Sequence, residues 1–486
     1  MEPLLELAIS LPQRGSRDLL RALHRQLRAA ILDGRLKPGL RLPPTRELAA
    51  AYRVSRNTAV ATYDLLLSEG YVVTRPGAGT YVADALPLSG RREAPAQSAD
   101  FAGHLSAFWR KPPALALAAS RSPPRFDFRP GLPDTGLFPF DVWRRLSGRA
   151  LRIQSKAPAL YAEPQGRPSL REAIARHVSF ARAVACRAED IVVTAGAQQA
   201  FDLLARILVT PGRTVVAVED PGYPPVRAAF MAAGAQIVPV PVDDAGLVVD
   251  ELPGNTKVIS VTPSHQFPLG TAMSLQRRAA LLDFARAHRA VVIEDDYDGE
   301  FRFGGRPLDA LQTLDRSGLV FYVGTFSKSL FPALRLGFVV APPWARGPLV
   351  SAKQLADWHG AVLAQDTLAA FIMEGHLARH IRKMRKVYGE RRQLLLNHLS
   401  KNFDGYLEPI ASAAGLHLAA LSASSSTADR IAQRALRHDI GVYSLRPFYA
   451  GKASRHGLLF GYGAIDERGI REGLLRLRRV WETSSD

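Results

Sequence analysis

Apolar positions along residues 16 to 83 recur first at helical spacing and then in short extended runs. Leu19, Leu20, Leu23, Leu27, Ala30 and Ile31 fall on one helical face, and the Asp33-Gly34 pair stops that helix. Pro43-Pro44 opens a short helix to about Tyr52, Arg53-Val54 makes a tight turn, and Ser55 is placed to cap a third helix ending near Gly70. Tyr71 to Thr74 and Thr80 to Val82 flank Arg75-Pro76-Gly77-Ala78-Gly79, the pattern of a β-hairpin with a Gly/Pro tip.

From 84 to 125 the pattern dissolves into Ala, Pro, Ser and Arg with no sustained period. This reads as a linker, semi-stiff where prolines cluster, with room for one short helix around Ala102 to Trp109. Beyond Phe126 the runs Ile191-Val193, Thr214-Val218, Val258-Val261, Val291-Ile293 and Leu319-Val323 are short and mostly β-branched. Helical stretches, Ala197-Leu208, Val226-Ala233 and Leu275-His288, lie between several of them. Alternation of this kind predicts an α/β domain with a mostly parallel central sheet over 126–486. After Pro343 come long helices, then a smaller α+β subdomain over about 375–486 with a strand near Gly415 to Leu421.

Composition narrows the classes. The 486 residues accommodate two to four domains, and 47% hydrophobic residues exclude a disordered chain. A single cysteine, Cys186, excludes an internal disulfide framework and points to a reducing compartment. Met1 to Ser10 carries acids where a secretion signal needs a basic start. The best apolar run, Leu319 to Pro342, is broken by Lys328 and Arg335, so no membrane span is expected. Net charge is +18, and most of the basic residues are arginine. A polyanionic partner follows, nucleic acid before membrane, and no metal site is expected.

Placement sharpens the charge argument. Helix, helix-turn-helix and hairpin is the order of a winged helix. Leu42-Pro-Pro-Thr45-Arg46 precedes Val54-Ser55-Arg56-Asn57-Thr58, which opens the third helix. Arg56 sits where the helix dipole disfavours a cation, which makes sense if a phosphate or guanine meets it there. Asn57 suits adenine, and Arg46 or Arg56 suits guanine. Gly77 and Gly79 let the wing backbone approach a duplex. Solvated residues on a three-helix bundle are the competing reading. The segment resembles the winged helix-turn-helix of the GntR regulator family. That resemblance implies DNA contacts by Thr45, Arg46, Ser55, Arg56, Asn57, Thr58 and the wing near Gly77. A Ser often opens the second helix in that family; here Pro43-Pro44 leaves Thr45 as the expected cap.

A second set of motifs follows the strands. Gly324-Thr325-Phe326-Ser327-Lys328 directly follows one strand, and Arg335 follows on the next apolar stretch. A semi-buried lysine and arginine each need a partner, which pyridoxal phosphate supplies through its carbonyl and its phosphate. Thr194-Ala195-Gly196-Ala197-Gln198 joins a strand to a helix and suits a phosphate cradle. Asp295, at another strand end, suits a pyridinium nitrogen, and Tyr297 suits the neighbouring phenolic oxygen. Tyr223, in Asp220-Pro-Gly-Tyr223, offers a ring to stack on a flat cofactor. A surface lysine, a tight turn and an acidic loop are the competing readings. All four motifs sit at strand carboxyl ends, where open parallel sheets bind ligands.

Together these motifs resemble fold-type I, class I aminotransferases from about Phe126 to the C-terminus. The resemblance implies that Lys328 carries the cofactor as an internal aldimine. It assigns Asp295 to the ring nitrogen, Tyr297 to the phenolic oxygen and Tyr223 to ring stacking. Ala197, Gln198, Thr325, Ser327 and Arg335 would hold the phosphate, Tyr161 would reach the neighbouring subunit's phosphate, and Arg446 would clamp an effector carboxylate. One departure is Thr262-Pro-Ser-His265-Gln266-Phe267-Pro268, where the family usually has Asn-Pro-x-Gly. Phe267 takes the Asn position, and His265 or Gln266 is the candidate substitute, which puts transamination in doubt.

A GntR-type winged helix (16–83), a linker (84–125) and an aminotransferase-like domain (126–486) form the layout of the MocR family of bacterial regulators. The expected function is therefore regulation of transcription at double-stranded operator DNA by a cytoplasmic, nucleoid-associated homodimer. It would sense an amine, an amino acid or pyridoxal phosphate itself at Lys328. The alternatives are an active aminotransferase with an accessory DNA-binding module, and a cofactor-free dimerisation scaffold.

Overall fold

Leu23, Leu27 and Ile31 line the buried face of α1 (Leu19–Leu32), as the helical spacing predicts. They meet Leu48 of α2 (Thr45–Ala51) and Ala59, Tyr63 and Leu66 of α3 (Arg56–Ser68). The antiparallel hairpin β1 (Val72–Arg75) and β2 (Gly79–Val82) closes this core through Val72 and Val82, which face each other. The Leu42 N–H donates to the Thr80 carbonyl at 2.8 Å, and the Val82 N–H to the Leu40 carbonyl at 2.9 Å, so the chain between α1 and α2 edges the wing. Ser55 caps α3: its hydroxyl accepts the Thr58 N–H at 3.0 Å.

The expected cap at Thr45 is corrected. Thr45 is the first residue inside α2, the cap position is Pro44, and no side chain bonds there. A proline just outside the helix already presets the entry backbone, and Glu47 in the first turn meets the positive helix end instead.

The structure, a computed structural model, describes residues 18–84, 101–112, 123–158, 160–304, 308–422 and 425–483, with Leu7, 9–12 and Ser16 besides. It divides into two units, Met1–His104 and Leu105–Asp486. Of the expected linker, 85–100 and 113–122 lie outside the described residues; between them come a 3-10 turn, Phe101–His104, and one helical turn, α4 (Ala107–Arg110).

The second unit begins with β3 (Phe126–Asp127), α5 (Phe140–Gln154) and α6 (Pro168–Arg182). Strands and helices then alternate: β4 (Ile191–Thr194), α7 (Ala197–Leu208), β5 (Val215–Asp220), α8 (Pro224–Ala232), β6 (Gln236–Asp243), β7 (Gly246–Leu247), β8 (Thr256–Val261) and α9 (Leu275–His288). There follow β9 (Val291–Asp296), α10 (Leu311–Leu314), β10 (Val320–Thr325), β11 (Gly337–Val340), α11 (Arg346–Asp357), α12 (Val362–Met373) and the long α13 (His376–Asn402).

These strands form one sheet in the order β4-β11-β10-β9-β8-β5-β6-β7. The pairs β10/β9, β9/β8, β8/β5 and β5/β6 are parallel, while β11 runs antiparallel to both its neighbours. Because β8, β9 and β10 are covered on both faces, their sequences read as continuous apolar runs.

A second sheet, β12-β13-β16-β15, is antiparallel: β12 (Glu408–Pro409), β13 (His417–Leu421), β15 (Tyr443–Ser444) and β16 (Gly457–Gly461). It packs with α13, α14 (Ser425–Arg437) and α15 (Glu467–Glu482). β14 (Ile440–Gly441) pairs in parallel with β3, so Phe126 and Phe128 join the core of this smaller subdomain. That return of the chain brings Pro130 and Gly131 to the large sheet's crevice.

Candidate functional site

The crevice forms where β9 and β10 end and α7 begins, at the carboxyl edge of the parallel strands. It encloses about 780 Å³ with its open mouth included, a size suited to a cofactor. β10 ends at Thr325, and the following turn delivers Lys328 into it. Burial lowers the Lys328 pKa against the opposing charges of Asp298 and Asp295, so its amine is drawn toward the neutral, nucleophilic form. Gly131, at φ +72°, makes room: a Cβ there would lie 2.9 Å from Lys328 Nζ.

Asp295 stands one residue before the end of β9 and is 5% exposed. Its Oδ1 has no hydrogen-bond partner, and burial, aided by Asp296, pushes its pKa up to about 8. Such a carboxyl calls for an incoming N–H. Tyr297, two residues on, lines the same crevice and sets its hydroxyl 2.8 Å from His265 Nδ1. Tyr223 precedes α8, meets Phe267 edge-on at 5.5 Å and also lines the crevice.

The far end of the crevice suits a dianion. Gly196, at φ +82°, turns the chain from β4 into α7 and leaves the N–H groups of the helix start facing inward. Arg335 donates through Nη2 to the Ala195 carbonyl at 2.6 Å, and a Cβ on Gly196 would come within 2.9 Å of that nitrogen. Thr325 and Ser327 add two hydroxyls, 3.0 Å apart. A helix end, a guanidinium and two hydroxyls at one end, with an unpartnered carboxyl and a lysine along the floor, fit pyridoxal phosphate.

Arg446 and His265 stand off the crevice wall, and Tyr161, expected to serve a neighbouring subunit, stands outside it. Arg446 does not line the crevice: it opens the turn Arg446–Phe448, is exposed, and pairs with Asp429 at 3.6 Å. Phe448 is the buried member of that turn, so the arginine faces solvent. His265 is 2% exposed and lies behind Tyr297, within the protein and not on the crevice wall. Tyr161 is 78% exposed and stacks on Trp358 at 4.9 Å, outside the crevice of its own chain. Phe267 does line the crevice, where it offers no donor.

Other residues that shape the site have no motif. Arg182, buried in α6, pairs with Asp296 at 2.6 Å and also bonds Ser264. Arg278 donates to the carbonyls of Pro263 and Met273 at 2.9 and 3.1 Å. Two buried guanidiniums thus fix the 262–273 loop. Glu219, raised by burial to about 7, takes the Thr262 hydroxyl at 2.6 Å and anchors the same loop to β5. Only the excess of arginine hinted at Arg182 and Arg278, and the Arg182 partners lie 114 and 82 positions away in sequence.

On the N-terminal unit, Arg46 sits in the first turn of α2, and Arg56 and Asn57 in the first turn of α3. All three are exposed, and neither arginine makes an ion pair among the described residues. Thr45 and Thr58 are half-buried, and Thr58 shares a 2.8 Å hydroxyl contact with Ser55. Gly77, at φ +75°, leaves the wing tip open, with Arg75 laid over the Tyr81 ring at 4.6 Å. The geometry presents two helix starts, each with an arginine that makes no ion pair among the described residues, and a glycine-tipped wing whose Arg75 pairs with Asp84 at 3.7 Å; the two free arginines suit a phosphate backbone. Among the described residues no helix is long and apolar enough to cross a membrane.

Comparison with known proteins matches both parts. A family model described as aminotransferase class I and II covers residues 132–457, and one described as bacterial regulatory proteins, gntR family, covers 19–82. The chain is 38% identical over 465 residues to the probable rhizopine catabolism regulatory protein MocR of Rhizobium meliloti, spanning 95% of this chain and 93% of that protein. It is 32% identical to the HTH-type pyridoxine biosynthesis transcriptional regulator PdxR of Corynebacterium glutamicum, over 96% and 97% of the two chains. Among solved structures, the α-aminoadipate aminotransferase LysN of Thermus thermophilus, complexed with N-(5'-phosphopyridoxyl)-L-leucine, superimposes with a TM-score of 0.68 at 30% identity. That match covers 74% of this chain and 92% of LysN.

Proposed function

The chain belongs to the class I and II aminotransferase family and, through its N-terminal unit, to the GntR regulators, the MocR-type combination; from that premise we propose that it is a pyridoxal-phosphate-dependent transcriptional regulator sensing an amine, an amino acid or pyridoxal phosphate itself. The observation that carries this reading is the unpartnered, buried Asp295 facing the same crevice as Lys328, in a chain whose helix-turn-helix leaves Arg46 and Arg56 exposed.

When bound, the cofactor supplies an electron-poor carbonyl carbon with which primary amines react reversibly. Lys328 would offer the resident amine, Asp295 would hold the ring-nitrogen proton, and the start of α7 with Arg335 would hold the phosphate. An amine effector would be received beside the Lys328 amine, in the crevice that Tyr223 and Tyr297 line. A bound effector would have to favour one arrangement of the smaller subdomain, since only a difference in affinity between arrangements can drive a response. The exposed Tyr161 suits a role toward a second subunit, and a homodimer would read paired half-sites on operator DNA.

The rival is a working aminotransferase, favoured by the complete crevice of Lys328, Asp295, Tyr297 and Tyr223. Phe267 in the crevice wall argues for the regulator, because it withholds a donor there. Titrating amines and amino acids into the purified protein, while following its visible band and its operator affinity, separates the two. The regulator shifts its band and its affinity together without accumulating product. Steady formation of a new amino acid from a 2-oxo acid, with operator affinity unmoved, would overturn this reading.

A further inference from the structure

Behind Tyr297 lies a cluster that the cofactor site does not use. Both carboxylate oxygens of Asp298 stand 3.0 and 3.1 Å from His265 Nδ1, and the Tyr297 hydroxyl stands 2.8 Å from that same nitrogen. All three side chains are buried. One nitrogen facing three oxygens allows few proton arrangements. A bare Nδ1 lone pair would face the Asp298 carboxylate at contact distance, which is repulsive. A proton on Nδ1 satisfies the carboxylate and also reaches the Tyr297 oxygen.

The remaining ring nitrogens agree. His265 Nε2 is buried with no partner, and an orphaned lone pair is better tolerated there than an orphaned N–H. His417, on β13 of the smaller sheet, covers the His265 ring at 4.9 Å between centroids. Its Nε2 lies 3.1 Å from the Pro268 carbonyl, which requires an N–H, and its Nδ1 is the unpartnered atom. Burial holds the His417 pKa well below the usual range, so the ring is neutral. His265, Asp298 and His417 also lie close enough for a shared metal, within 4.8 Å, but the carboxylate and the Nδ1 proton already satisfy one another. Gly415 permits the assembly: a Cβ there would come within 2.3 Å of His265 Nδ1 and 2.7 Å of Asp298 Oδ2.

We propose that Asp298 and His265 are positioning residues for the cofactor crevice: Asp298 keeps the His265 proton on Nδ1, that N–H is donated to the Tyr297 oxygen, and the Tyr297 proton is thereby aimed at the cofactor's ring oxygen. With Phe267 offering no donor in the crevice wall, the proton of Tyr297 carries that task. The ionisable groups around Tyr297 are Asp298, Asp295, Glu219 and Tyr462, with Lys328 and the two histidines completing the set. Burial, and then the carboxyls and Tyr462, oppose ionisation of the Tyr297 phenol, which keeps it a donor.

The inference rests on the cofactor reading, and two measurements test it. In histidine-labelled wild-type protein, nitrogen NMR should show His265 with Nδ1 protonated and Nε2 bare, with or without cofactor. An Nε2–H tautomer would overturn the proposal, and this arm needs no substitution to fold. In loaded protein, a donor on the ring oxygen lowers the pH midpoint of the visible band. Tyr297→Phe and Asp298→Asn should each raise that midpoint by about one pH unit or more, a tenfold change in proton affinity of the size a charge-assisted hydrogen bond supplies. The double variant should move no further than Tyr297→Phe alone. A midpoint that Tyr297→Phe moves and Asp298→Asn leaves in place would contradict the relay while sparing the cofactor. Absence of any visible band in wild-type protein would instead end the cofactor reading itself.

Discussion

Arg46, Arg56 and Asn57 lie exposed at helix starts, and neither arginine makes an ion pair among the described residues, whereas Asp295 and Tyr297 are buried. The first group keeps its charge solvated and ready for phosphates. In the second, burial pushes Asp295 up to about 8, moves Lys328 down and raises Tyr297. A polar surface is cheap to maintain and selects by arrangement; a desolvated carboxyl is costly until its partner arrives. The two regions should therefore fail differently: one through salt and sequence dependence, the other through pH and cofactor retention.

The largest separation is expected from Asp295→Ala. It removes a charged partner from the ring nitrogen and should weaken pyridoxal phosphate binding about a hundredfold. Titration of the visible band reads that loss, while operator affinity without effector should hold. Equal losses in both would break the distinction. Arg56→Ala should do the reverse, lowering operator affinity about tenfold and the salt slope by about one. Its band should be unchanged.

A graded effect follows from pH. The Asp295 pKa rises from 3.8 toward about 8 on folding without cofactor, so the folded chain binds more protons than the unfolded chain between those values. Its contribution to stability is then lost as pH rises through that window. A bound pyridinium removes the penalty. The gain in Tm on adding cofactor should therefore be greater at pH 8 than at pH 6, as scanning calorimetry would record. An equal gain at both would mean that Asp295 does not meet the ring nitrogen.

Smaller still, Ser55→Ala removes the α3 cap and should cost about 1 kcal/mol of stability in the N-terminal unit, read by denaturant unfolding. Arg446→Ala should have the least effect, since it breaks only an exposed ion pair. Effector response within twofold of wild type is expected, and a large loss would restore Arg446 as a clamp.

What the sequence revealed was what neighbouring residues decide. The Ser55 cap, the Gly77 tip and the β-branched strands preceding Gly196, Asp295 and Lys328 are local signals, and their strand-end positions converge on one crevice. Thr45 failed as a cap because the Pro44 backbone, which a motif match overlooks, already sets the helix entry. His265 and Arg446 lie off the crevice wall for a different reason. His265 is buried by His417, 152 positions away in the same numbering, and Arg446 is turned outward because Phe448 fills the core beside it. Pairings over such separations, like Arg182 with Asp296, leave no periodic trace.

In the proposed function, an amine sensed at Lys328 governs the DNA-reading unit. The direct test measures operator affinity with and without an amine that shifts the visible band, in wild-type protein and in Lys328→Ala. An affinity change is expected in the wild type and none in Lys328→Ala, with both still binding operator when no amine is added. The same amine response in Lys328→Ala would contradict it.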